Sequence, residues 1–339
     1  MDFHLLFFLI FRAGKGRWGY NTGSCYGEAL LSLIRSPRSL RLQADLALLV
    51  TAAVWGSAFV VQRLAAASLG VFLFNGLRFA LGAALLLPLI RFRLQLQACH
   101  WPWAVLGGVL LFSAGGLQQA GLLTTTAGNA GFITGLYVVI VPILMVRLMG
   151  AKLPAAAWIA ALLAAAGIFL LSTGGVMRLV IGDLYELLGA FLWALHVILV
   201  GRMARLAHPL HFSIAQYLVN AALNLIAGLI FEQDSLALLP GAAWTVIYTG
   251  VFSVGVGYTL QMLGQRHAPP SDAALILSLE AVFAALFGWL FLSENLTPPQ
   301  LIGCLLILAA ILLAQRQPHP AAEAGLPAAP PAERGEEHA

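Results

Sequence analysis

Two ionisable side chains lie deep inside apolar segments of the sequence. Glu280 is near the middle of the apolar stretch 271–292, and Arg78 is equally deep in the stretch 70–90. A carboxyl exposed to lipid is costly when charged, so Glu280 should face the protein interior, be neutral or be paired. Arginine does not readily lose its proton. These two positions are therefore the first candidates for function.

Each of the two residues has more than one interpretation. Glu280 could be a protonatable group that couples the movement of a solute to the movement of protons, or it could make a hydrogen bond that packs helices together. Arg78 could hold a substrate carboxylate, form a buried pair with Glu280, or line a cavity structurally. The sequence leaves these alternatives open.

A second apolar segment carries a histidine and a glutamate. His196 follows Trp193 by three residues, which places both on neighbouring parts of one helix face. We interpret His196 as a buried neutral histidine with a polar partner, and a proton relay is the alternative. Glu186 is near the end of the same segment, and we interpret it as a residue of the membrane interface.

Neutral polar and aromatic side chains recur through both halves of the chain. Amides and phenols could line a cavity for an amphiphilic solute, although any one of them could instead bond two helices. This set comprises Trp55, Phe59, Gln118, Gln119, Tyr137, Gln216, Tyr217, Asn220, Tyr258 and Gln261. All of these except Asn220, together with Arg78, Trp193 and His196, form the predicted substrate-binding set, with Glu280 as the proton-coupling candidate. We predict no catalytic residue, no metal site and no cofactor.

These residues must be positioned by helices that cross a membrane. Of 339 residues, 60% are apolar and only 9% are charged, whereas soluble domains carry about 25% charged residues. The interval from Leu94 to Val146 has no charge and is too long for one span, so it should turn at the polar stretch 124–129. The pattern predicts an all-α polytopic membrane protein with ten transmembrane helices, at about 46–67, 70–90, 103–123, 127–148, 154–173, 184–201, 211–231, 241–264, 271–292 and 297–315.

Basic residues predict the orientation of these ten spans. With a cytoplasmic N-terminus, 15 Lys and Arg residues fall on the inner side, while Arg63 and Arg178 fall on the outer side. Such an excess is typical of cytoplasmic loops, so we predict that both termini are cytoplasmic. The net charge of +4 is scattered between the spans and forms no basic patch, which argues against nucleic acid as a partner.

The two halves of the chain echo each other. Trp55 and Trp193 are 138 residues apart in similar surroundings, and Asn129 corresponds to Asp272 at an offset of 143. Five helices separate equivalent spans, and because five is odd, the halves insert in opposite directions. Inverted five-helix repeats of this kind are typical of transporters, with the substrate site between the halves near the middle of the membrane.

Several motifs in this order resemble one known family. They are Trp55-Gly56-Ser57 with Phe59, Leu77-Arg78-Phe79, Gly182-Asp183-Leu184, and the block Leu279-Glu280-Ala281 with Leu292-Ser293-Glu294. The chain from about residue 44 to 315 resembles EamA-type members of the drug/metabolite transporter superfamily. The resemblance implies a ten-helix carrier of the bacterial inner membrane that exports amino acids or other small metabolites. Ala281 stands where the family usually has proline, so the resemblance does not assure a kink in span 9.

The domain organisation follows from these patterns. Residues 1–41 are predicted to be a cytoplasmic segment whose apolar run 5–11 could lie at the membrane interface. Residues 44–174 should form the first repeat, residues 182–315 the second, and residues 316–339 a disordered cytoplasmic tail, because this tail cannot bury enough apolar surface to fold.

The function predicted from sequence is export of a small amphiphilic metabolite by alternating access. The expected partners are this small molecule and the lipid bilayer, and a homodimer is left open. An intramembrane enzyme, such as a lipid or prenyl transferase, is one alternative, although the sequence has no HExxH, GxSxG or GxxxxGK[ST] motif. A channel or a membrane scaffold is the other, although no filter or repeated pore charge is present.

Overall fold

A computed structural model describes residues 37–125, 127–173, 180–292 and 297–315. The predicted tail 316–339 and most of the predicted segment 1–41 lie outside the described residues. The described chain is built of helices, nine of them long and apolar enough to cross a membrane and a tenth somewhat shorter. The all-α polytopic fold predicted from sequence is confirmed. The ten spans are Pro37–Ala66; Val71–Leu86 with the turn Leu87–Ile90; Trp101–Gly121; Ala127–Gly135 with Tyr137–Met149; Ala155–Thr173; Ile181–Leu206; Pro209–Phe231; Leu239–Tyr248 with Thr249–Tyr258 and Thr259–Gln265; Pro270–Leu277 with Glu280–Leu292; and Pro298–Gln315.

Span 1 begins at Pro37 rather than near residue 46. The extra turns carry charge, so an apolar window does not include them. These turns are helical, and the pair between Arg41 and Asp45 one turn later supports them, with 2.9 Å between guanidinium Nε and carboxylate Oδ1. The helix therefore extends beyond its apolar part.

The ten spans alternate in direction, which gives the bundle two ends. We call them the Arg41 end, where span 1 begins, and the Thr125 end, where span 3 meets span 4. Span 1 runs from the Arg41 end to the Thr125 end, whereas its equivalent, span 6, runs the opposite way. The two halves are therefore inverted.

The packing of the spans follows an approximate two-fold axis. Span 2 packs against its own equivalent, span 7, and span 5 packs against span 10. Span 1 contacts spans 8 and 9, and its equivalent, span 6, contacts spans 3 and 4. The contacts of span 1 thus have counterparts at span 6.

Spans 4 and 9 are both interrupted at mid-length. Span 9 tightens before Glu280, where Leu279 N donates to Ile276 O at 3.1 Å, three residues back instead of four. Span 4 does the same at Leu136, whose N donates to Ile133 O at 3.1 Å. Leu136 and Leu279 are 143 residues apart. Span 9 is therefore interrupted although residue 281 is alanine and not proline. The equivalent interruption in span 4 also forms without proline at the corresponding position, Val138.

Spans 5 and 10 approach each other through two glycines. A Cβ added at Gly167 would lie 2.7 Å from Gly303 O and 3.0 Å from Ile307 N, both backbone atoms of span 10. Backbone cannot give way as a flexible side chain can, so the helices would have to separate.

Replacing Gly167 with alanine should therefore lower the free energy of unfolding by about 1–3 kcal/mol, the usual cost of overpacking. Thermal unfolding of the purified protein in detergent measures the effect. The matched control is Gly116→Ala, because a Cβ at Gly116 meets nothing within 4 Å. Equal stability of the two variants would contradict the close approach of spans 5 and 10.

Candidate functional site

A small cavity with a volume of about 40 Å³ lies between the two halves. Spans 1, 2, 3, 4, 6, 8 and 9 contribute to its wall, which includes both interrupted spans. The lining residues are Trp55, Phe59, Gln62, Arg78, Gln118, Thr134, Tyr137, Trp193, Val197, Ser253, Tyr258, Gln261 and Glu280.

Most residues of the predicted site come together at this cavity. The nine that line it are Trp55, Phe59, Arg78, Gln118, Tyr137, Trp193, Tyr258, Gln261 and Glu280. The four predicted residues that do not line it are Gln119, His196, Gln216 and Tyr217. Each of those four makes an interhelical contact behind the wall instead.

The residues behind the wall support those in front. His196 Nε2 and Gln216 Oε1 are 3.1 Å apart, so the buried histidine has the side-chain partner that its neutral interpretation requires. Gln119 Nε2 donates to the backbone oxygen of Gln62 at 3.1 Å. The Tyr217 ring lies 6.2 Å from the ring of Tyr258. These contacts fix the helices that present the cavity wall.

Eight of the thirteen lining residues form pairs of equivalent positions in the two repeats. At an offset of 138, Trp55 corresponds to Trp193 and Phe59 to Val197; at an offset of 143, Gln118 corresponds to Gln261 and Tyr137 to Glu280. The approximate two-fold axis therefore passes through the cavity. Only the last pair changes chemistry, from a phenol to a carboxyl.

Arg78 is the cation of the cavity. Its Nε donates to Asn75 Oδ1 at 2.9 Å, and its Nη1 donates to Gln62 Oε1 at 3.1 Å. The rings of Phe74 and Phe79 lie 5.2 and 5.3 Å from its Cζ atom. Within the part of the chain that the structure describes, Nη2 has no hydrogen-bond partner and the side chain has no ion pair, so the buried pair with Glu280 does not form.

A chain of amides extends the arginine site across three more spans. Gln62 Oε1 also accepts from Gln118 Nε2 at 3.4 Å, and Gln118 Oε1 accepts from Trp193 Nε1 at 3.0 Å. The chain ties spans 1, 3 and 6 to Arg78 on span 2. It fixes the direction in which the guanidinium faces the cavity.

Glu280 occupies another part of the wall, directly after the break in span 9. Its Oε1 accepts a hydrogen bond from Tyr137 Oη at 3.3 Å, which joins the two breaks across the repeat axis. Gly56 permits the close approach of span 1 to span 9, because a Cβ at Gly56 would lie 2.6 Å from the backbone oxygen of Glu280. The Trp55-Gly56-Ser57 motif thus holds span 1 against the glutamate.

Aromatic rings form the remaining wall around Tyr258. The ring centroids of Trp55 and Trp193 lie 4.7 and 6.0 Å from that of Tyr258, and the centroid of Phe79 lies at 5.7 Å. Trp55 is held by a bond of 3.1 Å from its Nε1 to Ser253 O. The cavity therefore offers an apolar surface between a guanidinium and a carboxyl.

Polar contacts join spans 1 and 9 at the Arg41 end of the bundle. Arg41 Nη2 lies 2.7 Å from Asp272 Oδ2, which joins the start of span 1 to the start of span 9, and Arg41 also pairs with Asp45. The equivalent spans 6 and 4 meet at the opposite end of the bundle.

At the Thr125 end, Thr125 Oγ1 donates to Asp183 Oδ1, and Arg63 Nη1 donates to Thr125 O at 2.9 Å. Asp45 and Asp183 are 138 residues apart, so an aspartate at equivalent positions takes part in the contacts at both ends, although its partners differ.

Sequence reasoning missed four lining residues: Gln62, Thr134, Val197 and Ser253. Gln62 had a usable signal, because Trp55, Phe59 and Gln62 follow the i, i+4, i+7 spacing of one helix face. Glu186, which the sequence places near the end of span 6, has a side chain that is fully buried between spans 3, 4 and 6.

Comparisons with known proteins agree with this architecture. Residues 42–173 and residues 180–315 match the pattern of the EamA-like transporter family. An uncharacterized transporter of Archaeoglobus fulgidus is 34% identical over 279 residues, which cover 80% of this chain and 86% of that protein. The uncharacterized transporter YwfM of Bacillus subtilis is 27% identical, covering 81% of this chain and 94% of that protein.

Two further similarities are more limited. A stretch of 94 residues, 26% of this chain, is 37% identical to 32% of the threonine/homoserine exporter RhtA of Escherichia coli. A solved crystal structure of a protein is similar with a TM-score of 0.69 at 21% identity, covering 80% of this chain and 96% of its own chain. The latter similarity shows a shared fold.

Proposed function

Because the chain belongs to the EamA-like transporter family, we propose that it exports a small zwitterionic metabolite of the amino acid class by alternating access. One observation carries the substrate class: a buried guanidinium with an unoccupied Nη2 and a buried carboxyl line the same aromatic cavity. A zwitterion with an apolar portion complements all three surfaces. The name of the threonine/homoserine exporter RhtA, to which part of the chain is similar, supports the same class.

The binding mode follows from the donors that each wall offers. The substrate carboxylate accepts hydrogen bonds from Arg78 Nη2, because guanidinium and carboxylate geometries match. The ammonium group lies towards Glu280, and the carbon chain contacts the rings around Tyr258. Charge-assisted bonds in a site shielded from water are stronger than neutral ones, so this mode favours zwitterions over neutral solutes.

Alternating access is supported by the inverted repeat, which places polar contacts between spans at both ends of the bundle. Opening the Arg41 end requires the separation of Arg41 from Asp272, and opening the Thr125 end requires the separation of Thr125 from Asp183. The excess of Lys and Arg on the Arg41 side favours a cytoplasmic location for that end in the bacterial inner membrane. Export then begins at the Arg41 end.

Glu280 is proposed to couple this movement to protons. Its carboxylate attracts the substrate ammonium when the site opens to the cytoplasm. A proton taken up at the outer side neutralises the carboxylate and releases the ammonium. The proton leaves on the inner side before the next substrate binds, so one proton enters for each substrate exported.

The test is counterflow in vesicles that contain the purified full chain. Vesicles preloaded with an unlabelled amino acid should accumulate the same labelled amino acid transiently and with saturation, threonine and homoserine being the first probes. Flux that rises linearly with concentration would favour the channel alternative, and chemical conversion of the probe would favour the enzyme alternative. Saturable counterflow of a neutral alcohol or amide at the same rate as amino acids would contradict the proposal that the substrate is a zwitterion.

A further inference from the structure

A second buried carboxyl lies near the cavity at its Thr125 end. Glu186 is fully buried, and its Oε2 accepts a hydrogen bond of 2.8 Å from Thr134 Oγ1. Its Oε1 has no hydrogen-bond partner within the described ranges. Gly121 of span 3 leaves the room that this oxygen occupies, since a Cβ there would lie 2.6 Å from Oε1.

The charges around Glu186 do not neutralise a carboxylate. Span 6 contributes Asp183, of like charge, and span 4 contributes the neutral hydroxyl of Thr134. The nearby arginine of span 1, Arg63, binds the backbone oxygen of Thr125, and Glu186 forms no ion pair in the described part of the chain. A buried carboxylate without a cation is costly, so this side chain is stable only while it holds a proton.

The repeat shows that the fold does not require an acid at this position. Leu48 is the equivalent of Glu186 in span 1, at an offset of 138, and it is also fully buried. The scaffold accommodates a leucine there in one half and a glutamate in the other. A carboxyl that costs free energy and has an apolar counterpart points to a role beyond packing.

We propose that Glu186 is a second proton-binding site, which exchanges its proton with water at the Thr125 end. When Glu186 releases the proton from Oε1 to water, the remaining carboxylate lies one helical turn from Asp183, the residue that accepts from Thr125. A carboxylate buried without a cation is costly, so the ionised Glu186 favours the arrangement in which the Thr125 end is open and water reaches it. Thr134 also lines the cavity, so it connects Glu186 to the substrate site.

This inference deepens the proposed export cycle, but its first test needs no substrate. Infrared difference spectra of the full chain in vesicles, recorded across a pH jump, should contain a protonated-carboxyl band that Glu186→Gln removes. Glu280→Gln, the matched control, should leave that band in place. A Glu186→Gln spectrum identical to that of the unmodified chain overturns the proposal.

Two further measurements keep the proposal testable. Thr134→Val retains Glu186 but removes its hydrogen bond, so the band should shift; an unchanged band overturns the proposal even if Glu186→Gln fails to fold. In vesicles, Glu186→Gln should reduce the response of net threonine efflux to pH on the Thr125 side to the part that Glu280 supplies, and an unchanged response overturns the proposal. If the band is present but no amino acid shows counterflow, the proposed function fails and the proton site stands.

Discussion

Replacing Arg78 with glutamine is expected to lower the transport of amino acids by about 100-fold or more. Removing one partner of a buried, charge-assisted contact costs about 2–5 kcal/mol, and 1.4 kcal/mol corresponds to a factor of ten. The loss should appear as weaker binding, because Arg78 contacts the carboxylate in the bound state. Saturation curves of counterflow in vesicles measure it through KM.

The control for charge is Arg202→Gln. The Cζ atom of Arg202 lies 5.2 Å from the centroid of the Trp103 ring, and Arg202 is not among the cavity-lining residues. The Arg202→Gln variant should therefore transport amino acids as the unmodified chain does. Arg78→Lys keeps the charge but loses the planar fork, so it should fall between the two. Thermal unfolding of each variant shows whether the fold is retained.

The chemical signature of this role is selectivity. Arg78→Gln should weaken an amino acid far more than the matching amine without a carboxylate, because only the former loses a partner. Equal loss for both compounds would instead assign Arg78 a structural role, through its bonds to Asn75 and Gln62.

Arg78 and Glu280 could be found from sequence because an isolated charge in an apolar run has few structural explanations. The spans could be found for a similar reason, since a lipid environment demands long apolar helices. Gln62, Thr134 and Ser253 carry no such signal. Neutral polar side chains are common between helices, and which of them faces a cavity depends on how the spans rotate and pack.

Glu186 and the break in span 9 are two further features that the sequence pattern alone does not predict, because they depend on how the helices pack. The position of Glu186 near a helix end suggests exposure, but span 3 covers it through Gly121. No proline in the sequence marks the break at Leu279. The break is recognised by its equivalence with the break at Leu136 in the other repeat. Contacts between distant spans decide both features, and a local sequence window does not contain them.

The repeat separates scaffold from chemistry in this molecule. Where both halves carry similar residues, as at Trp55 and Trp193, the pair shapes the cavity symmetrically. Where they differ, a charge stands on one side only: Arg78 corresponds to Gln216 and Glu280 to Tyr137. Inverted repeats supply two alternative openings of one site, and the unpaired charges determine what binds within it.

Glu280→Gln provides the strongest test of coupling at the central pair. Glutamine keeps an oxygen that can accept from Tyr137 Oη, but it cannot exchange a proton. In the unmodified chain, acidification of the Arg41 side should raise the KM for the substrate, because protons compete with the ammonium for the carboxylate. In the variant, KM should no longer depend on pH, and net transport driven by a proton gradient should fall by about 100-fold, which corresponds to about 3 kcal/mol.

Tyr137→Phe separates coupling from packing at the same contact. This substitution removes one hydrogen bond of 3.3 Å, worth about 1 kcal/mol, and leaves the carboxyl able to titrate. Transport by Tyr137→Phe should therefore fall only by about fivefold and retain its pH dependence. If Glu280→Gln instead keeps the pH dependence and both variants lose equal thermal stability, Glu280 serves to pack spans 4 and 9. Of the two carboxyls, only Glu280 is proposed to exchange protons at the Arg41 side, so the dependence of KM on pH at that side distinguishes Glu280 from Glu186 in one set of vesicles.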